Sequence, residues 1–284
     1  MSSSNIVRVG EFSIKASDGH IYLQAGVPDT YDYVPWNIIG ALIAESDLND
    51  IKLIDVGANI GDSLAHFRRF SSNKAICVEP SPLFFGILEE NATQFGDVLL
   101  INKLLVPKEL TGRVAFSSGS QTGFSRETEA TDQAWHGDYV SFEDLGLGDG
   151  QFLVKTDTDG FDATIIAALL DSVSPTCQEV PIIFFEGPSS EQMLSGDLAE
   201  WMTVINRLQM VGYELLFLTN RGVPYIYAGK DTAVAKSAIV SLQMCYPYSL
   251  ALCHYFDVIA VHESVGSELV KMQSAWPVAV FPGR

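Results

Sequence analysis

The stretch that most constrains the fold is 51–61, Ile-Lys-Leu-Ile-Asp-Val-Gly-Ala-Asn-Ile-Gly. Its apolar residues Ile51, Leu53, Ile54 and Val56 make a run too short for a globular helix and rich in β-branching. It reads as a buried strand. Asp55 stands near its carboxyl end. Gly57 and Gly61 frame a tight turn before a helix-like stretch, 62–70. A strand that passes through glycines into a helix brings backbone close to a ligand, because glycine has no Cβ to clash. The helix start offers unpaired N–H groups. The side chains of Asp55 and Asn59 add acceptors that suit hydroxyl or ammonium donors better than a bare phosphate.

The next apolar run, 74–79, ends in Glu79, 22 residues after Gly57, and Pro80-Ser81-Pro82 follows. In a doubly wound sheet an acid at the end of the second strand can hydrogen-bond both hydroxyls of a ribose. Strand, glycine turn, helix, strand and acid together read as a nucleoside site. The plainer alternative is a βαβ unit whose glycines and acid serve only its turns.

The dinucleotide fingerprint has three glycines, G-x-G-x-x-G. Here Gly57-Ala58-Asn59-Ile60-Gly61 keeps two and puts Asn59 in the middle, which argues against NAD or FAD. The stretch resembles the D-x-G-x-N-x-G motif of class I S-adenosylmethionine-dependent methyltransferases. Together with Val78-Glu79-Pro80-Ser81-Pro82 it is similar, more narrowly, to the FkbM family. A third motif extends the match: that family carries K-I-D-x-E-G-x-E where this chain has Lys155-Thr156-Asp157-Thr158-Asp159-Gly160-Phe161-Asp162. Both glutamates are aspartates here, one methylene shorter. A strand at 181–186 also ends in Glu186, as in the family.

The resemblance covers roughly 50–220. It implies S-adenosyl-L-methionine as cofactor and methylation of a hydroxyl on a sugar, glycan or secondary metabolite. The cofactor residues it points to are Asp55, Gly57, Ala58, Asn59 and Gly61 on the methionine and ribose side, and Glu79 and Pro80 at the ribose hydroxyls. A hydroxyl acceptor must lose its proton, so a base is expected among His136, Asp157 and Glu186. Asp162 reads as a helix cap. The acids Asp157, Asp159 and Glu186 offer an alternative as ligands of a hard divalent metal, but no motif fixes such a geometry, and no metal site is assigned.

The expected fold is α/β: a Rossmann-like, doubly wound, mostly parallel sheet with a reversed final strand, plus an N-terminal β-hairpin and helix. The expected division is an extension over 1–49, the cofactor-binding domain over 50–264 and a tail over 265–284. At 284 residues, with 47% hydrophobic and 18% charged residues, the chain can bury a sizeable core. A formal net charge of −18 disfavours nucleic-acid and anionic membrane partners. The expected partner is a small-molecule or glycan acceptor; the sequence is silent on oligomeric state. Four cysteines without a framework, no signal-like start and no long apolar run fit a cytoplasmic protein. Cys245 and Cys253 do not have a zinc spacing.

Elsewhere, 7–15 alternates as a strand, 20–24 is a second strand candidate, and Asp18-Gly19 between them is a hairpin signal. A helix is expected over 34–46 and another over 82–95, with Leu83, Phe84, Ile87 and Leu88 on one face. The very apolar 97–106 reads as a central strand. Segment 118–138 has no apolar period and reads as a functional loop carrying His136. A strand at 151–155 leads to a helix at 163–170, and an amphipathic helix spans 198–210. A hairpin follows at 213–227, a helix or lid insertion at 230–250, and the last strand at 257–261. Two other classes stay open: an NAD-dependent or nucleotide-sugar enzyme, and a methyltransferase-like fold that binds without catalysis.

Overall fold

The structure is a computed structural model and describes residues 5–18, 20, 23, 32–111, 116–117, 134–135, 138–147, 149–158, 160–172, 180–187, 198–220, 222–245 and 255–265. Its strands are β1 (Ile6–Val9), β2 (Phe12–Lys15), β3 (Lys52–Val56), β4 (Ala75–Val78), β5 (Val98–Ile101), β6 (Leu104–Leu105), β7 (Phe116–Ser117), β8 (Ala134–Trp135), β9 (Tyr139–Val140), β10 (Phe152–Thr156), β11 (Ile182–Glu186), β12 (Tyr213–Thr219), β13 (Pro224–Gly229) and β14 (Phe256–His262). Its α-helices are α1 (Tyr33–Glu45), α2 (Asp62–Arg68), α3 (Pro82–Ala92), α4 (Asp162–Ser172), α5 (Leu198–Met210) and α6 (Thr232–Cys245).

Eight strands form one sheet in the order β13-β12-β14-β11-β10-β3-β4-β5. The five from β11 to β5 are parallel, and β14 is inserted antiparallel between β11 and β12. The fold is Rossmann-like, with the reversed final strand that the sequence predicts. Both faces are covered, which explains the near-continuous apolar strands. Because side chains alternate along a strand, Leu53, Ala75, Cys77, Leu153 and Phe184 pack on one side with Trp36, Ile39, Leu64, Phe67 and Leu88 from α1, α2 and α3. Ile54, Val56, Val154, Ile183 and Phe185 pack on the other with Ile166, Trp201, Ile205 and Ile239 from α4, α5 and α6. Trp201 stacks on Phe185 with ring centroids 5.7 Å apart.

The N-terminal hairpin is present but turns earlier than expected. β1 and β2 pair antiparallel around Gly10, whose φ of +61° suits a glycine turn. The Asp18-Gly19 signal does not form it. Asn91 of α3 accepts from the Lys15 amide at 2.7 Å and donates to the carbonyls of Lys15 and Ile60 at 2.9 and 2.7 Å, tying β2 to the glycine turn.

Two further expectations are corrected. The run 97–106 is not a central strand: it breaks at Asn102-Lys103 into β5 at the sheet edge and β6, which pairs with β9. Leu99 is 43% exposed, so its apolar composition does not mark it as central. Leu83 leaves the predicted helix face and is 68% exposed, while Leu88 is fully buried. Segment 230–250 contains α6, whose Ala235, Ala238 and Ile239 are buried. The tail from 266 onward, Cys177 and Cys253 lie outside the described residues.

Candidate active site at the carboxyl edge of the sheet

The glycine turn is built by backbone. The amides of Gly57 and Ala58 both donate to the Val78 carbonyl, at 2.9 and 3.1 Å, and Gly61 donates to Ala58 at 2.8 Å. Gly57, Asn59 and Gly61 all have positive φ, at +77°, +46° and +87°. A Cβ on Gly57 would stand 2.0 Å from the carbonyl oxygen of Asp157. What requires glycine there is the neighbouring chain leaving β10. At Gly61 a Cβ would meet Leu88 Cδ1 of α3 at 2.8 Å, a packing demand.

Glu79 follows β4 and is 6% exposed. One carboxylate oxygen accepts from the Asn59 amide and the other from the Ser81 amide, both at 2.8 Å. Asn102 donates to the carbonyls of Glu79 and Pro80, at 2.8 and 3.1 Å. Glu79 thus shapes the turn, and each oxygen keeps a lone pair for a further donor. Burial pushes its carboxyl up to about 7 against those two amide bonds.

Asp55 is fully buried, and neither carboxylate oxygen has a hydrogen-bond partner. Its nearest cation, Lys155 Nζ, is 3.7 Å away. Burial pushes Asp55 up to about 7, against the pull of Lys155. The Asn59 side-chain oxygen is also buried without a partner. Orphaned acceptors carry a desolvation cost of about 1–3 kcal/mol each. Three of them beside one turn make a set that fits ammonium or hydroxyl donors.

The register explains how other charges gather here. Lys155 is the cross-strand neighbour of Asp55, which neighbours Cys77, and Glu186 is the neighbour of Asp257. Period two puts Asp157 on the same side as Lys155. Lys155 is 7% exposed, and its Nζ lies 3.1 Å from Asp157 Oδ2. Burial alone lowers the Lys155 ammonium, but Asp157 and Asp55 outweigh it and hold it above its ordinary range. Burial raises the Asp157 carboxyl, yet Lys155 and a side-chain hydrogen bond with Glu186 prevail and keep it low. A carboxylate held low is a weak base. Asp157 is therefore fitted to accept a hydrogen bond and orient a ligand rather than to remove a proton. Asp257 is pushed well up, by burial first and then by Asp32 and Asp157. Asp32 precedes α1, and His20 lies close enough to Asp62 to feel its charge. The N-terminal segment thus reaches both ends of this acidic edge.

Asp162 is the first residue of α4, but its carboxylate turns back to the preceding loop and does not cap the first-turn amides as the sequence suggests. Its carboxylate accepts from the Thr156 hydroxyl and from the amides of Thr158 and Gly160, at 3.3 and 3.4 Å. This locks the loop that carries Asp157. His136 and Asp159 lie outside the described residues. Asp55, Gly57, Ala58, Asn59, Gly61, Glu79 and Pro80 lie together around the turn, while Asp157 and Glu186 meet beside it. Sequence reasoning assigned no role to Lys155 or Asp257. The signal was a charge inside an apolar strand, Leu-Val-Lys-Thr and Phe-Asp-Val-Ile. Among the described residues no group of three or more His, Cys, Asp or Glu is arranged to hold a metal ion, and no helix is long and apolar enough to cross a membrane.

No protein-family model matches the chain, and no curated protein matches it. Among solved structures it is similar to TYW2 of M. jannaschii in complex with AdoMet, at 12% identity over 92% of this chain and 87% of that one, with a TM-score of 0.44. It is similar to precorrin-6y C5,15-methyltransferase of Geobacter metallireducens, at 11% identity over 80% and 86%, with a TM-score of 0.40. A ribosomal protein L11 methylase of Lactobacillus delbrueckii subsp. bulgaricus shares 9% identity over 90% and 98%, with a TM-score of 0.40. Likeness at this level says nothing of this chain's reaction.

Proposed function

We propose that this chain is an S-adenosylmethionine-dependent methyltransferase, of the kind found in the FkbM family, that methylates a hydroxyl of a small molecule or glycan. The observation that carries the reading is the fully buried Asp55 carboxylate, with both oxygens unpartnered, two residues before the Gly57–Gly61 turn. Asp55 and the Asn59 side-chain oxygen would take the ammonium and nearby hydroxyl donors of the cofactor. Ala58 and Gly61 complete the turn. Glu79, beside Pro80, would use its remaining lone pairs on the ribose hydroxyls.

Bound there, the cofactor supplies an electrophilic methyl group on a sulfonium. The protein's tasks are to align the acceptor and exclude water. Asp157 would orient the acceptor hydroxyl. Glu186, or His136, which follows β8 in the sequence, would take its proton. The excess of carboxylates at this edge favours neutral or cationic acceptors over anionic ones.

Isothermal titration with S-adenosylhomocysteine tests the reading. The wild type is expected to bind in the micromolar range, and Asp55→Ala and Glu79→Ala to lose binding. A folded wild type that ignores S-adenosylhomocysteine but binds NAD would overturn it in favour of an oxidoreductase. Binding without methyl transfer to any hydroxylated acceptor would leave a binding protein.

A further inference from the structure

We propose that Lys155 is a positioning residue that sets which carboxyls of the site are ionised: its ammonium keeps Asp157 as the anion and leaves Asp55 able to hold or release a proton. The inference extends the methyltransferase reading, but its geometry stands without the cofactor. Lys155 is the one buried lysine or arginine among the described residues. It projects from the middle of the sheet, where a lone cation costs several kcal/mol unless it is paired. It is shared unequally, 3.1 Å from Asp157 and 3.7 Å from Asp55. The nearer acid has half of its side-chain surface exposed, at 47%, and the farther has none.

Charged and titratable groups surround Lys155 from every neighbouring element. Asp55 comes from β3, Cys77 from β4 and Glu79 from the residue after it. Asp62 comes from α2, Asp157 from the loop after β10, Glu186 from β11 and Asp257 from β14. Beyond these, Asp32 acts on Asp257, and His20 lies near Asp62. Burial raises the Cys77 thiol well above its ordinary range, so it stays neutral. The rest are overwhelmingly acids, so one ammonium decides where the first negative charge settles. A pair at 3.1 Å is favoured over one at 3.7 Å because Coulomb attraction falls with distance and because only the shorter contact is a hydrogen bond. The side-chain hydrogen bond between Glu186 and Asp157 favours the same choice.

Function follows from that choice. Asp157 stays a fixed, half-exposed hydrogen-bond acceptor at the carboxyl edge of the sheet. Asp55, poised between neutral and ionised forms, becomes an anion when a positively charged ligand arrives.

Carboxyl NMR titration of aspartate-labelled protein tests this, with Asp55→Asn and Asp157→Asn assigning the signals. In Lys155→Met the Asp157 midpoint should rise by a unit or more. Lys155→Arg should keep it within about half a unit of wild type, because charge is retained. A purely structural lysine would lower the melting temperature and leave both midpoints in place, and that result would overturn the proposal. Should Lys155→Met fail to fold, Lys155→Gln and Asp157→Asn decide. The first should raise Asp157, and the second, by giving the ammonium to Asp55 alone, should lower Asp55. Unmoved midpoints in both would overturn the proposal. S-adenosylhomocysteine calorimetry runs beside the titration. Wild-type protein that does not bind would defeat the methyltransferase reading, while the NMR midpoints would still decide the role of Lys155.

Discussion

Replacing Gly57 by alanine perturbs the fold and the candidate site together. The added Cβ would stand 2.0 Å from the Asp157 carbonyl oxygen, where about 3 Å is the closest real approach. The obstacle is backbone, so no rotamer change relieves it. Gly57 also has φ of +77°, which costs a residue with a Cβ about 1–2 kcal/mol. Opening the gap strains the Asp157 N–H to Val56 carbonyl bond of 3.1 Å and the Gly57 N–H to Val78 carbonyl bond of 2.9 Å. Each is worth about 1 kcal/mol net. The total is about 3–4 kcal/mol, a lowering of the melting temperature by roughly 5–7 °C in a chain of this size. Gly61→Ala should cost less, because its obstacle is the methyl end of Leu88, which can rotate away. Differential scanning calorimetry of both variants, with S-adenosylhomocysteine titration of each, measures the effect. If Gly57→Ala melts within about 2 °C of wild type, the backbone approach is not what demands glycine, and the reasoning fails.

Other outcomes follow from the buried charges. Asp55 is pushed up to about 7 from its ordinary 3.8, so the native state holds a proton that the unfolded state gives up. Stability on this account is full below about pH 4 and falls as pH rises to about 7. Asp55→Asn should therefore stabilise the protein at pH 8 by about 1 kcal/mol or more, read as a higher melting temperature, while abolishing S-adenosylhomocysteine binding; an unchanged or lower melting temperature at pH 8 refutes this. The gain is smaller than the ~4 kcal/mol that three units imply, because Lys155 loses a partner. His66 is fully buried, stacked on Trp36 with centroids 5.8 Å apart, and held down to about 3 by burial and then Arg69. It stays neutral when folded, so its contribution is lost as pH falls from about 6.5 towards 3. In His66→Phe the drop in melting temperature between pH 7 and pH 5 should be shallower than in wild type. Asp162→Ala should destabilise by about 2–3 kcal/mol by chemical denaturation, because the Thr156 hydroxyl loses its buried partner and the loop amides lose theirs. Asp162→Asn should cost less.

Much of the architecture was legible from local pattern. The strand that becomes β3, the glycine turn and the acid after β4 are short-range features, fixed by β-branching, φ requirements and spacing. Helix α5 was readable because Trp201, Val204, Ile205 and Leu208 recur at helical spacing, and all four are buried. The hairpin turn was misplaced because Asp18-Gly19 and Gly10-Glu11 both carry turn chemistry, and only the packing of β2 on Asn91 selects between them. Segment 97–106 was misjudged because an apolar run records contact with something apolar, not a place in the strand order. The acids at 55, 79, 157 and 186 were identifiable as strand ends.

By itself, then, the sequence determined most of the strands and helices of the cofactor-side sheet, and that a glycine turn between acids stands at the first crossover, because those properties depend on neighbours a few residues away. Only the tertiary structure decided why Gly57 must lack a side chain, how Glu79 spends its two oxygens, and that Lys155 stands between Asp55 and Asp157. Each depends on strand register between residues about twenty to a hundred positions apart, where a shift of one residue would turn every charge to the opposite face.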